Sequence, residues 1–262
     1  MLVLLTGCFD EARNTEELCL KNPDIRCEEL NIDDGQCRIP RTDLIWHRFN
    51  VANRPTDINK IKEYYLTLDY RKCLEVSTQI LAIDQTELKR SRFNALMSTG
   101  NNLERLEKEL AEYHTPKSLY FLWSQTGDLN ARSEFLQFEG KPELDNAEMQ
   151  YNLATFYTDV DTEKTIELLI HALELSPKGH FNIDIPKSLA SIYKLKGKNE
   201  LSYIWAKVSE TYGVPIASKK ELYVMFRFND KKIDELEKTA SRLVESIDAG
   251  QFQASIIPSQ YQ

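Results

Sequence analysis

The residues of this chain whose chemistry depends most on spacing are its five cysteines: Cys8, Cys19, Cys27, Cys37 and Cys73. All lie in the first 73 of 262 residues. A zinc site calls for C-x-x-C or paired-histidine spacing, and neither is present. A redox-active dithiol is disfavoured by the same missing C-x-x-C. The four histidines, His47, His114, His171 and His180, stand outside any HExxH or H-x-H pattern. His171 falls on an expected helix and His180 in a loop, both read as solvated. No GxSxG, P-loop or G-x-G-x-x-G sequence occurs, so a nucleophile elbow or a nucleotide cradle has no support. Carboxylates such as Asp33/Asp34 and Glu16/Glu17 are abundant, but neighbours on a helix do not converge on one face. "NIDDGQC", residues 31 to 37, fails the calcium-loop test: counted from Asn31, Gly35 falls at the fifth position and Thr42 at the twelfth. It reads as an Asx/Gly turn. No catalytic residue, metal or cofactor is expected, and the chain reads as a non-enzyme.

Such residues need elements to hold them, and composition says which. Hydrophobic residues make up 42% and charged residues 28%, a globular balance. Nine Gly and nine Pro are too few for the frequent turns of a sheet, so long helices with short links are expected. The net charge of -8 repels phosphate, which argues against nucleic acid as a partner. No run of about 20 apolar residues is present to span a bilayer as a helix.

The opening "MLVLLTGCFD" is apolar up to a cysteine and then turns polar. It resembles a bacterial lipoprotein lipobox, with Leu5 aliphatic, Thr6 and Gly7 small, and Cys8 as the acceptor. The resemblance implies cleavage before Cys8, acyl chains on its thiol, and a place on the periplasmic side of a membrane. No Lys or Arg stands among the seven residues before Cys8, so the start of the chain is expected upstream of Met1. With Cys8 assigned to lipid, four cysteines remain, an even set suited to two disulfides in an oxidising compartment. Three connectivities are open. Spacing favours Cys19–Cys27 with Cys37–Cys73, because the first pair can close a small hairpin around Asn22-Pro23.

Short helices are expected at 15–20 and 25–30, and an amphipathic turn or short helix at 41–49. A long helical stretch, 58–83, is expected to split near Asp69, with Leu66, Cys73, Val76, Ile80 and Leu81 at helical spacing. Helices at 87–97 and 103–113 are expected on either side of a turn at "STGNN". Further on, three stretches align. Leu119, Leu153 and Leu189 coincide, as do Tyr120, Ala154 and Ala190, and Trp123, Tyr157 and Tyr193, at offsets of 34 and 36 residues. A fixed period of this length signals stacked helical hairpins. A small residue lets two helices approach closely, and an aromatic fills the groove beside it. The stretches resemble tetratricopeptide or Sel1-like repeats over residues 116–215, with Gly127 and Gly197 at the inter-helix turn and Ala172 and Pro177 closing the middle copy. Asp161 and Ile166 depart from that pattern, where Gly and Ala are usual. Residues 219–228 read as helical or partly extended. An amphipathic helix at 231–247, with Ile233, Leu236, Ala240, Leu243, Val244 and Ile247 on one face, is expected to cap the stack.

The expectation is therefore an all-α fold: a helical-hairpin repeat array with a disulfide-containing N-terminal segment and a C-terminal capping helix. Its segments are a lipobox region (1–8), a cysteine-rich segment (9–57), a helical domain (58–250) and a loose tail (251–262). "LLTGC", "NPDIRCEELNIDDGQCRIPRTDLI" and "YRKCLEVSTQI" also resemble a family of gammaproteobacterial lipoproteins, of the Vibrio and Shewanella kind, without an established activity. That resemblance implies a location and no mechanism. The function expected is an interaction or assembly module, binding a protein or peptide of the cell envelope and held to the membrane through Cys8. The competing reading is an enzyme acting on cell-wall material with carboxylates or a histidine in a cleft. Its support is only the abundance of acids and the inferred compartment.

Overall fold

The structure, a computed structural model, describes residues 14–80 and 86–261. The lipobox residues Leu5, Thr6, Gly7 and Cys8 lie outside the described residues, as does Leu81. The described residues form twelve α-helices and four short 3-10 turns, with no strand. The chain divides between Glu134 and Phe135 into two compact units.

The first unit begins with α1 (Thr15–Lys21), capped by Asn14, followed by 3-10 turns at Pro23–Ile25 and Cys27–Glu29. A helix was expected at 25–30. Arg26 instead takes a left-handed conformation at φ 54°, which separates the two turns. Then come α2 (Arg38–Asn53), α3 (Asp57–Ser77), α4 (Thr86–Ala111) and α5 (Pro116–Thr126). α3 is one helix, not two. Tyr70 and Leu74 are its fully buried apolar residues, whereas Val76 and Ile80 of the expected stripe are exposed. α4 runs unbroken through "STGNN", because tertiary partners outweigh the local turn preference. Thr99 and Asn102 are buried there, and Asn102 Nδ2 donates to Glu29 Oε2 at 2.8 Å.

Cys19 is bonded to Cys27 and Cys37 to Cys73. Ile25, Cys27, Leu30, Cys37, Leu44, Ile45, Tyr70, Leu74 and Ala95 form one core. The cysteine-rich segment is thus not a separate piece. It supplies part of the core that α2, α3 and α4 complete, and the expected break at residue 57 is no domain boundary. α5 packs on α3 and α4, with Phe121 edge-on to Tyr64 at 4.9 Å. The first helix of the first repeat-like stretch therefore belongs to this unit.

α6 (Leu129–Leu136) spans the division. The second unit holds α7 (Ala147–Tyr157), α8 (Thr162–Glu174), α9 (Asp184–Leu195), α10 (Asn199–Thr211), α11 (Lys219–Phe226) and α12 (Asp230–Asp248). α7 packs on α8, α8 on α9, and α9 on α10, so the second and third copies form consecutive hairpins. Asp161, where the repeat pattern wants Gly, caps α8 by accepting from Lys164 N at 3.0 Å. α12 packs on α10, and its buried face is Ile233, Leu236, Thr239, Ala240, Leu243 and Ile247.

The segment after α12 is not loose. Gly250 ends the helix at φ 65°, its N–H on Ile247 O and that of Gln251 on Ser246 O, a Schellman closure. Phe252, Ile257 and Tyr261 are all buried. Phe252 meets Trp205 edge-on at 6.1 Å, and Lys232 Nζ lies 4.6 Å above the Tyr261 ring. Three apolar side chains without a helical period can still be pegs, because an extended strap needs no period to bury them.

Candidate functional site

Two polar constellations stand out, one in each unit. In the first unit two carboxylates, Asp34 and Glu63, and three guanidiniums, Arg41, Arg48 and Arg92, are buried around the "NIDDGQC" turn and the α2–α4 core. Asp34 accepts from Arg92 Nε at 2.5 Å and Nη2 at 3.2 Å, while Arg92 Nη1 donates to Ser77 O at 3.0 Å. Arg41 Nη1 donates to Asn31 O at 2.5 Å and Asp34 O at 2.7 Å. The Tyr70 hydroxyl donates to Asn31 Oδ1. Burial pushes the Asp34 carboxyl up, but the hydrogen bonds from Arg92 and the Gln36 N–H outweigh it and hold it below the usual range. Deeper in, Glu63 Oε1 sits 3.4 Å from Arg48 Nε and 3.0 Å from Arg105 Nη2. Arg48 Nη1 also donates to the carbonyls of Ile25 and Arg26, both at 3.2 Å. Buried charges persist only when paired and hydrogen-bonded. These pairs clamp the N-terminal turns to helices distant in sequence. The turn whose calcium spacing failed thus has its acid committed to an arginine.

In the second unit the α7–α8 hairpin bears a groove of about 540 Å³. Leu153 and Leu168 are at its floor, and Glu139, Lys164, Glu167, His171 and Glu174 line it. Tyr157 Oη donates to Glu139 Oε2 at 2.6 Å, and that bond, with burial, pushes the phenol up to about 12. Lys164 Nζ lies between Glu139 at 3.7 Å and Glu167 at 3.8 Å. His171 Nε2 is 3.1 Å from Asp145 Oδ1, and its Nδ1 is 3.5 Å from Glu174 Oε2. The strap closes one end, where the Ala254 N–H donates to Glu174 Oε1 at 2.9 Å. An apolar floor under three carboxylates and one lysine suits an extended segment that offers an aliphatic side chain beside a cation.

A second, wider groove of about 730 Å³ runs along the outer face of α12 to Pro258 and Tyr261. Its wall alternates acids and bases, among them Asp234, Glu237, Lys238, Arg242 and Glu245. That is the pattern of a solvated helix face.

Of the repeat positions, Leu119, Leu153 and Leu189 are buried, as is Ala154. Ala190 and Tyr193 are half-buried, and so are Tyr120 and Trp123, which meet edge-on at 5.7 Å. Burial pushes the Tyr193 phenol up. Tyr157 does not fill a core groove as expected but reaches across to Glu139. Only Leu153 and Tyr157 come near the groove. Sequence reading missed Glu139, Glu174 and Ala254, which separate loops and helix ends bring together without a shared spacing. His171 is partly solvated as expected, and His180 Nδ1 lies 3.0 Å from Lys178 O in its loop. His47 is buried with Nε2 2.8 Å from Asn59 O, a structural placement. Among the described residues no group of three His, Cys, Asp or Glu side chains is arranged to hold a metal ion. No helix among the described residues is long and apolar enough to cross a membrane.

Compared with known proteins, residues 5–207 match the family described as "Protein of unknown function (DUF2989)". The match runs from Leu5 into α10 and covers most of the chain, which therefore belongs to this family. No curated protein and no solved structure matches it.

Proposed function

We propose that this member of the DUF2989 family is an interaction module of the bacterial cell envelope, held to a membrane by acyl chains on Cys8, and that the α7–α8 groove is its binding surface. The observation that carries the reading is the build of that groove: Leu153 and Leu168 beneath, Glu139, Glu167 and Glu174 around them. Stacked helical hairpins offer rigid concave surfaces of this kind to extended segments. The strap supplies an internal analogue of such a ligand, because its Ala254 N–H already rests on Glu174. A bound segment would set an aliphatic side chain on the floor and a Lys or Arg among the carboxylates. Two features support the compartment. One is the Leu5-Thr6-Gly7-Cys8 motif, and the other is the pair of disulfides, which form and persist in oxidising compartments.

The test is capture from crosslinked envelopes with the full-length chain and with Leu168→Glu, which places a charge on the floor. The variant should lose partners that the parent retains, and identical profiles would sink the groove reading. Separately, Cys8→Ala should lose acyl labelling and leave the membrane fraction. Unchanged fractionation removes the anchor.

A further inference from the structure

The outward face of α11 has the wrong chemistry for water. Leu222 and Phe226 set the inward face: both are buried, and Phe226 meets Tyr203 edge-on at 5.6 Å. The next three residues after Leu222 face out, with Tyr223 56%, Val224 65% and Met225 50% exposed. At 3.6 residues per turn, three consecutive positions sweep more than half the circumference. Around the last turn of this short helix the outward surface is therefore apolar, while Lys220 and Glu221 are exposed in its first turn. Single exposed apolar residues are ordinary, but a contiguous run of large ones marks a contact surface.

Charge says what kind. Residues 219–232, "KKELYVMFRFNDKK", hold five Lys or Arg and two Asp or Glu, in a chain of net charge -8. Lys220, Arg227 and Lys231 are exposed and enter no ion pair among the described residues. Of the two acids, Glu221 is turned back on the helix start, where it accepts from Ser218 N at 2.8 Å and Oγ at 2.7 Å. Lys194 of α9 lies 4.3 Å above the Phe226 ring and adds a cation at the flank. At the end of α11, Arg227 turns left-handed, φ 53°, and starts the short link to α12, whose first turn carries Asp230 and Lys231.

We propose that α11, the link after it and the first turn of α12 dock on an anionic phospholipid surface. Tyr223, Val224 and Met225 enter the interfacial layer, and Lys220, Arg227 and Lys231 meet the headgroup phosphates. An exposed apolar face with unpaired cations before and after it in the chain matches an anionic interface. Three side chains hold only weakly, so this contact sets orientation and adds to an anchor without replacing one. It does not depend on Cys8 or on the α7–α8 groove.

The experiment uses the full chain carrying Cys8→Ser, which removes any acyl contribution, and sedimentation with vesicles of phosphatidylglycerol or of phosphatidylcholine. We expect binding to phosphatidylglycerol on the order of tenfold stronger, and lost at high salt as screening shortens the electrostatic reach. Lys220→Glu with Arg227→Glu, and separately Tyr223→Ser with Met225→Ser, should each lower the bound fraction several-fold while leaving the circular dichroism and the melting point of the soluble protein unchanged. A photo-crosslinking residue at position 224 should label lipid in envelopes. Equal sedimentation of parent and variants, no preference for phosphatidylglycerol, or a crosslink from position 224 to a protein would each overturn the proposal.

Discussion

Replacing Phe252 with Ala tests whether the strap is part of the second unit or a loosely held cover. Phe252 is 1% exposed and packs edge-on against Trp205, which is itself fully buried. Removing a buried Phe ring to the methyl costs about 3–5 kcal/mol when the surroundings cannot collapse into the space. If the strap is integral, that loss appears in the unfolding of the whole unit and lowers its midpoint by roughly 10–20 °C. If the strap can lift while α12 stays in place, the cost is capped at the free energy of releasing the strap. The released residues regain about 1–2 kcal/mol each of backbone entropy, which keeps that cap low. The midpoint then moves only slightly, while the Ala254 amide, now bonded to Glu174, exchanges freely with solvent. A chain in which Trp46 and Trp123 are Phe leaves Trp205 as the only fluorophore of its kind. Calorimetry, the emission maximum of Trp205 and amide exchange at Ala254 together separate the two outcomes. Because Ala254 closes the groove, the second outcome also predicts more partner capture by Phe252→Ala than by the parent. An unchanged midpoint, emission and amide protection would falsify the packing described for the strap.

Asp34→Asn should destabilise the first unit by about 3–5 kcal/mol, since it leaves Arg92 buried without its counter-charge, and pairing it with Arg92→Met should restore much of the loss in urea melts. The folded pKa of Asp34 is depressed, so its stabilisation is fully present above the unfolded value near 4 and fades as pH falls through the lower folded value. Asp34→Asn should therefore flatten the acid side of the stability–pH curve, and a parallel curve refutes the assignment. Gly250→Ala should cost at least about 1–3 kcal/mol from its left-handed backbone, and more from steric conflict, because the new methyl would stand 2.5 Å from Lys178 N. Thiol reductant should lower the melting of the first unit, with about 3–4 kcal/mol attached to the Cys37–Cys73 loop, and leave the second unit, which has no cysteine, unmoved in a two-transition calorimetric scan. Gly100→Ala should stabilise by about 0.5–1 kcal/mol, as its position is mid-helix with open space around it; destabilisation would mean that α4 bends there after all.

The parts of this fold legible in the sequence are those where one local rule suffices. Leu153 and Leu189 recur because consecutive hairpins place the same helix position against the same core, so the period survives in the residues. The pairing of Cys19 with Cys27, 8 positions apart, follows from a short loop that chain geometry can close, and Cys37–Cys73, 36 positions apart, is the pair that remains. "STGNN" misleads because its residues are good turn formers judged alone. Thr99 Oγ1 bonds Leu96 O at 2.6 Å and Asn102 reaches Glu29, 73 positions away, so the preference for a turn is met inside a helix instead. The stripe expected on α3 fails similarly. Val76 has the right spacing, but the core of the first unit lies toward Tyr70 and Leu74, and only the placement of the cysteine-rich turns decides that.

The groove was illegible for a related reason, and the reason bears on function. Its floor comes from repeat positions, which spacing exposes, but its rim comes from Glu139 before α7, from Lys164 and Glu174 on α8, and from a strap some 80 residues further on. Core positions of a repeat are constrained by their neighbours in the stack, whereas rim positions carry no such constraint and leave no period in the sequence. A rim of Glu139, Glu167 and Glu174 costs stability through repulsion that Lys164 only partly offsets. Glu139 holds the Tyr157 hydroxyl and Glu174 the Ala254 N–H, whereas Glu167 is exposed, with Lys164 Nζ at 3.8 Å. Under the proposed function, this exposed carboxylate beside an apolar floor is the one free to meet a cation brought by a ligand. Neutralising that position with Glu167→Gln should leave the midpoint of the second unit nearly unchanged while lowering partner capture, a separation of stability and binding that a purely structural groove does not produce.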